Sequence, residues 1–276
     1  RSGHYPTTMV LSPTDRCNLR CKGCYSYHYK RRDGLSTERI DRLFDECEEL
    51  GIHFVVITGG EPYLRHDLVE LMAAHPRLYF MTYTNGRILA EQNLVGRFAE
   101  MGNVLPCMSV EGYEAETDAR RGAGTHRQVR RLMREMKEAG LFFGFSATPM
   151  RHNSDLLLTD RFIEYYMELG ARVGWYFSYM PVGLGADLEL MPTPEQRLRR
   201  YHRIREIRKK HNFLAADFWC DGVLTGGCLS AGRTYFHVNA EGGVEPCVFQ
   251  QFHTDNINDK PLADCLASEF FSGIRS

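Results

Sequence analysis

Cys17-Asn18-Leu19-Arg20-Cys21-Lys22-Gly23-Cys24-Tyr25 places three thiols at CxxxCxxC spacing in a polar, basic loop. Thiolates this close hold an iron–sulfur cluster by three of its irons and leave the fourth open to a ligand that is not protein. Short Cys and His spacings also serve structural zinc, for which Cys17, Cys21, Cys24 and His28 would make a Cys3His set. What flanks the loop separates the two readings.

Before it, Met9-Val10-Leu11 is a short apolar run that breaks at Ser12-Pro13, which predicts a strand whose carboxyl end delivers the cysteines. After it, Ser36 reads as an N-cap with Glu38 in the first turn. Ile40, Leu43, Phe44, Cys47 and Leu50 recur at helical spacing up to Gly51, so Cys47 belongs to a packed stripe. The pattern then repeats. Apolar runs at 54–57, 78–82, 104–110, 141–148 and 173–180 alternate with helical stretches at 66–75, 90–101, 125–139, 158–169 and 193–212. Six strands alternating with helices predict parallel βα units, closed as a barrel or opened as a doubly wound sheet. In both, chemistry gathers at the carboxyl ends of the strands.

Those ends carry Thr58-Gly59-Gly60-Glu61-Pro62, Thr84-Asn85-Gly86, Ser109-Val110-Glu111-Gly112, Thr148-Pro149 and Tyr179-Met180-Pro181-Val182-Gly183. Paired glycines let backbone groups approach a small charged ligand, and a carboxylate such as Glu61 can meet an ammonium. Strand alternation puts Leu105, Cys107, Ser109 and Glu111 on one face, with Cys107 a buried packing residue.

With these motifs in this order, the chain resembles the radical S-adenosylmethionine (radical SAM) family. The resemblance implies an α/β fold, a partial (β/α)6 TIM-type barrel over residues 1–212. It implies a [4Fe-4S] cluster on Cys17, Cys21 and Cys24, and reductive cleavage of S-adenosyl-L-methionine to a 5′-deoxyadenosyl radical that abstracts a substrate hydrogen atom. By the same resemblance Gly59, Gly60 and Glu61 meet the amino group of S-adenosylmethionine, and Ser109 and Glu111 hold its ribose and methionine ends. Thr84 and Asn85 lie near it, and either Arg120 or Arg121, with Arg121 preferred, in the Gly-rich loop Arg121-Gly122-Ala123-Gly124, meets the methionine carboxylate. In the family an aromatic residue commonly precedes the third cysteine and lies against the adenine. Here that position is Gly23, with Tyr25 or Tyr27 as substitutes.

Beyond a strongly charged helical stretch with Arg197, Arg199, Arg200, Arg203, Arg205 and Arg208, expected on a solvated face, the composition turns to aromatics, glycines and cysteines. Cys228, thirteen residues, Gly242, four residues and Cys247 are similar to half of the pattern in SPASM and twitch extensions of radical SAM enzymes. Tyr235–Val238 and Val244–Val248 read as a hairpin around Gly242-Gly243. Residues 213–276 are therefore expected to form a small C-terminal cysteine-bearing hairpin and helix extension. It would hold a second, auxiliary iron–sulfur cluster on Cys228 and Cys247, with Cys220 and Cys265 to complete it.

With 276 residues, 34 basic against 35 acidic side chains and a net charge of −1, nothing electrostatic points to nucleic acid or a membrane surface. No apolar run is long enough for a membrane span. Nine cysteines, three in one cluster, suit a reducing cytoplasm better than a disulfide framework. The expected partners are a small-molecule or peptide substrate and a reductant such as flavodoxin or ferredoxin, in peptide or natural-product and cofactor maturation. The alternatives are a radical SAM epimerase or dehydrogenase of a sugar or aminocyclitol, and a non-catalytic metal-stabilised binding module.

Overall fold

The computed structural model describes residues 5–26, 34–183, 186–230 and 232–275. His28 and Tyr27, invoked above for zinc and for adenine, lie outside them. In chain order the elements are β1 (Thr8–Leu11), α1 (Thr37–Glu49), β2 (Phe54–Ile57), α2 (Leu68–Ala74), β3 (Tyr79–Thr84), α3 (Arg87–Glu91), α4 (Val95–Met101) and β4 (Val104–Val110). They continue with α5 (Glu114–Arg121), α6 (Thr125–Glu138), β5 (Gly144–Ala147), α7 (Asp160–Glu168), β6 (Val173–Tyr176), α8 (Pro194–Lys210), β7 (Leu214–Asp217), β8 (Tyr235–Val238), β9 (Val244–Glu245), α9 (Leu262–Leu266) and α10 (Glu269–Arg275). Among the described residues no helix is long and apolar enough to cross a membrane.

The alternation of strands and helices is the one expected, with local differences. Residues 90–101 are two helices, because Asn93 adopts a left-handed φ of 53° and breaks the run. Arg120 and Arg121 end a helix rather than sitting in a glycine loop. Glu116 reaches back to the Tyr113 amide to open α5, and Gly122 stops it. A further strand, β7, follows the charged helix.

The chain divides into two compact units, one of residues 1–18, 29–82 and 228–276 and one of residues 19–28 and 83–227. In the first, β1 pairs parallel with β2 on one side and with β8 on the other, and β2 pairs parallel with β3. Thus the strand that leads to the cysteines is central, and residues 235–238 of the cysteine-rich tail supply one neighbour. β9 folds back antiparallel on β8, with His237 opposite Glu245. α1 starts where the sequence indicates, Ser36 accepting from the Arg39 amide at 3.1 Å, and buries Ile40, Leu43, Phe44 and Cys47. The Phe44 ring meets Phe80 of β3 at 5.1 Å.

In the second unit β4, β5, β6 and β7 pair parallel in sequence order. On one face Phe145 packs against Phe162 and Tyr166 of α7 and also meets the rings of Tyr176 and Phe213. Successive side chains point to opposite faces, so the other face carries the register row Ser109, Ser146, Trp175. α8 opens on a reciprocal Thr193–Gln196 cap, but it is not solvated all round. Arg200 is buried completely and is paired with the equally buried Asp217 of β7. Only their match makes an arginine tolerable there, since an unpaired buried charge is strongly unfavourable.

Candidate active site

Within the first unit the Gly59-Gly60-Glu61 segment is laced to the backbone that leads into Cys17. The Gly60 amide donates to Thr14 O at 3.0 Å and the Glu61 amide to Arg16 O at 2.8 Å. A Cβ on Gly60 would stand 2.0 Å from Arg16 O, and one on Gly59, whose φ is +105°, would stand 2.5 Å from Thr14 O. The glycine pair is thus needed first to admit the chain's own cysteine-bearing segment. That requirement is tertiary and invisible in the motif. Glu61 is buried, as is Tyr63, whose hydroxyl donates to Thr82 Oγ1 at 2.8 Å.

Within the second unit the loop with Cys21 and Cys24 docks on the end of α5. The Lys22 amide donates to Arg120 O and Arg120 Nε–H donates to Lys22 O, both at 3.1 Å. The turn closes by Cys24 N–H to Cys21 O at 3.2 Å, and Cys24 Sγ lies 3.3 Å from Ser26 Oγ. Gly23 takes φ +67°, and a Cβ there would meet the Tyr179 ring at 2.8 Å and Leu190 at 3.1 Å. The cluster of Met150, Tyr179 and Leu190 thus occupies the place where a larger residue would reach. Tyr25 is half-buried. Burial, with Cys107 and Tyr25 nearby, holds the Tyr83 phenol well above its ordinary range.

Glu111 is the hub of this unit. Its carboxylate accepts from Arg120 Nη1, from Arg121 Nε at 2.7 Å and Nη2 at 2.6 Å, and from the Thr148 amide at 3.2 Å. Its backbone N–H donates to Thr117 Oγ1 and its carbonyl accepts from Asn153 Nδ2. Arg121 Nη1 lies 3.9 Å from Cys21 Sγ. Burial pushes the Cys21 thiol up, and Arg121 and Arg120 pull against it. Ser109 Oγ lies 3.5 Å from Ser146 Oγ. Thr84 Oγ1 accepts from the Gly86 amide and Asn85 Oδ1 from the Arg87 amide, so both side chains serve the turn into α3. Asn153, which ties Met150, Thr148 and Glu111 together, was not singled out in the sequence. A lone buried Asn in a loop carries no spacing signal.

The donor set suits an iron–sulfur cluster: three half-buried free thiols in one short stretch, one with a guanidinium beside its sulfur. Among the described residues no group of three or more His, Cys, Asp or Glu forms a ready metal site. The tail cysteines differ from one another. Cys228 is exposed with Sγ 3.0 Å from Ser230 Oγ, and Cys247 is buried and accepts from the Tyr235 hydroxyl at 3.0 Å. Cys265 is buried in α9, its thiol pushed up to about 11 chiefly by burial. Cys220, in the second unit, is pushed up to about 11 by burial and by Asp217, with its Sγ 3.9 Å from Arg200 Nη2.

The sequence profile of the radical SAM superfamily matches residues 11–173. Mycofactocin maturase MftC of Mycolicibacterium smegmatis is 32% identical over 282 residues, 96% of this chain and 68% of that protein. The AdoMet-dependent heme synthase of Oleidesulfovibrio alaskensis is 29% identical over 296 residues, 95% of this chain and 75% of that protein. Among solved structures, Streptococcus suis SuiB bound to S-adenosylmethionine superposes with a TM-score of 0.83 at 19% identity, over 99% of this chain and 68% of that one. Its likeness extends to the fold alone.

Proposed function

The chain belongs to the radical SAM superfamily, and from that membership we infer a peptide-maturing enzyme whose cofactors are bound by residues at or following the carboxyl ends of its strands. It is an enzyme of the α/β, partial-barrel kind that uses S-adenosyl-L-methionine and a [4Fe-4S] cluster. When bound, the reduced cluster and S-adenosylmethionine supply a 5′-deoxyadenosyl radical able to take a hydrogen atom from an unactivated C–H bond.

The protein's part is to hold, orient and shield. Cys17, Cys21 and Cys24 are assigned as cluster ligands, and the Arg121 guanidinium brings positive charge to the Cys21 sulfur. Gly59, Gly60 and Glu61 are assigned to the amino group of S-adenosylmethionine, Ser109 and Glu111 to its ribose and methionine ends, and Arg121 to its carboxylate. Tyr25, Thr84 and Asn85 complete the assigned contacts. A twitch-like extension over 213–276 with an auxiliary cluster is supported by the Cys228–Gly242–Cys247 spacing. Cys220 and Cys265 are the assigned completers. A flavodoxin or ferredoxin reductant and a cytoplasmic setting complete the reading.

The observation that carries the substrate class is the 32% identity to mycofactocin maturase along 96% of the chain. PqqA peptide cyclases match as well, at 29% for that of Rhodopseudomonas palustris. The identity to heme synthase favours a second reading, maturation of a small cofactor. The test is anaerobic reconstitution with iron and sulfide, iron counting and a dithionite assay for 5′-deoxyadenosine, for wild type and a Cys17→Ala/Cys21→Ala/Cys24→Ala variant. Deoxyadenosine from wild type only, with residual iron in the variant, is the expected result. Absence of deoxyadenosine from loaded, reduced wild type overturns the ligand assignment. Complete loss of iron in the variant overturns the auxiliary cluster.

A further inference from the structure

A buried relay of side chains in the first unit has no part in the scheme above. Ser12, the residue after β1, lies 2.8 Å through Oγ from His237 Nε2 of β8, and His237 Nδ1 lies 2.7 Å from Glu245 Oε2 of β9. Asn239 Nδ2 donates to the other carboxylate oxygen at 2.7 Å, and His253 Nδ1 stands 3.7 Å from it. Ser12, His237 and Glu245 are all nearly fully buried. In the tautomer whose Nδ1–H donates to Glu245, Nε2 accepts the Ser12 O–H, so every polar atom of the relay has a partner.

The connectivity is that of a Ser–His–carboxylate hydrolase, but the hydroxyl is walled in. Ser12 is only 5% exposed, which leaves a substrate carbonyl no approach. The relay must act on structure, and its place decides on which. Ser12 N–H also donates to Val238 O at 2.9 Å. Two residues on, Thr14 O receives the Gly60 amide, and Arg16 O receives the Glu61 amide next to Cys17.

We propose that Ser12, His237 and Glu245 are positioning residues by which the C-terminal hairpin sets the Thr14–Arg16 backbone, and with it the Gly59–Glu61 segment and Cys17. This rests on the reading that residues 59–61 contact S-adenosylmethionine. It assigns to the hairpin a task separate from any auxiliary cluster, since Cys228 and Cys247 take no part in the relay.

The test uses the reconstituted full chain, with rates normalised to loaded cluster. Ser12→Ala and His237→Leu raise the S-adenosylmethionine concentration for half-maximal cleavage about tenfold, with kcat within about twofold. In the unloaded protein, amide exchange over 59–61 quickens about tenfold in both variants, while α1 is unchanged. Variants that melt earlier but leave both the half-saturation value and the 59–61 exchange at wild-type levels overturn the proposal. Glu61→Gln separates it from the reading beneath. If Glu61→Gln raises the half-saturation value and Ser12→Ala does not, the relay proposal falls alone. If Ser12→Ala raises it and Glu61→Gln does not, the relay stands and the role of Glu61 falls.

Discussion

Glu111 and Cys21 are linked through separate nitrogens of one guanidinium. Arg121 donates from Nε and Nη2 to the Glu111 carboxylate, and its Nη1 lies 3.9 Å from Cys21 Sγ. Because Arg120 holds the same carboxylate oxygen and the Lys22 backbone, the cysteine loop and the end of β4 are coupled through a single buried acid.

Glu111→Gln therefore leaves two nearly buried guanidinium groups without their counter-charge and lowers stability by about 3 kcal/mol. Arg121→Gln costs less, about 1 kcal/mol, because Arg120 remains on the carboxylate. Urea unfolding of the metal-free variants measures both, and equal effects would show that the carboxylate is not the hub.

Two glycines give opposite results on the same substitution. Gly60→Ala drives a methyl into Arg16 O, disrupts the two backbone hydrogen bonds to Thr14 O and Arg16 O and lowers the melting temperature by several degrees. Gly96→Ala, within α4 and with nothing within 4 Å of its Cβ position, stabilises by about 0.5–1 kcal/mol. Calorimetry of the pair decides it.

Asp160, at the start of α7, has its carboxyl held well below the usual range by hydrogen bonding from His211 and Lys210 and by Arg203. A folded-state pKa below the unfolded one stabilises above the unfolded value of about 3.9 and loses that contribution as pH falls through the folded pKa. Asp160→Asn is thus less stable than wild type at neutral pH, and the difference shrinks steadily below about pH 4. Denaturation midpoints collected from pH 7 down to pH 2 test the trend, and a gap that widens in acid contradicts it.

Arg200 and Asp217 are both fully buried, with Ser178 and Cys220 as further partners of the guanidinium. Arg200→Met alone strands a buried carboxylate and costs about 3–5 kcal/mol, whereas Arg200→Met with Asp217→Leu recovers most of that loss. A double-mutant cycle in urea reads the coupling directly.

What the sequence made legible was local or motif-borne. The Ser36 cap, the bounds of β4 at Val104 and Val110, the burial of Cys47 and Cys107 and the βα order all follow from signals within a few residues. The helix that ends at Arg121 was hidden because Gly122 and Gly124 dominate a polar stretch whose helical start depends on the Glu116 cap. β7 was hidden because four residues, Leu214–Asp217, offer too short an alternation to read. Arg200 looked like its solvated neighbours, since its partner Asp217 arrives from another element. The glycine pair at 59–60 could be found from its motif, but the contact that requires it, the carbonyls of Thr14 and Arg16, is made by chain folding alone.

The parallel pairing of β1 with β8 also orders events in time. Ser12 and His237 are 225 residues apart in the chain, and ribosomes add about 5–20 residues per second. The first strand therefore waits roughly 10–45 s after its own synthesis before its neighbour exists. Until then the segment leading to Cys17 has one flank open, and its thiols emerge long before their surroundings are finished. On the ligand assignment proposed above, iron delivered to a nascent chain would meet half a scaffold, so cluster insertion belongs after translation, once the last strands have closed on the first.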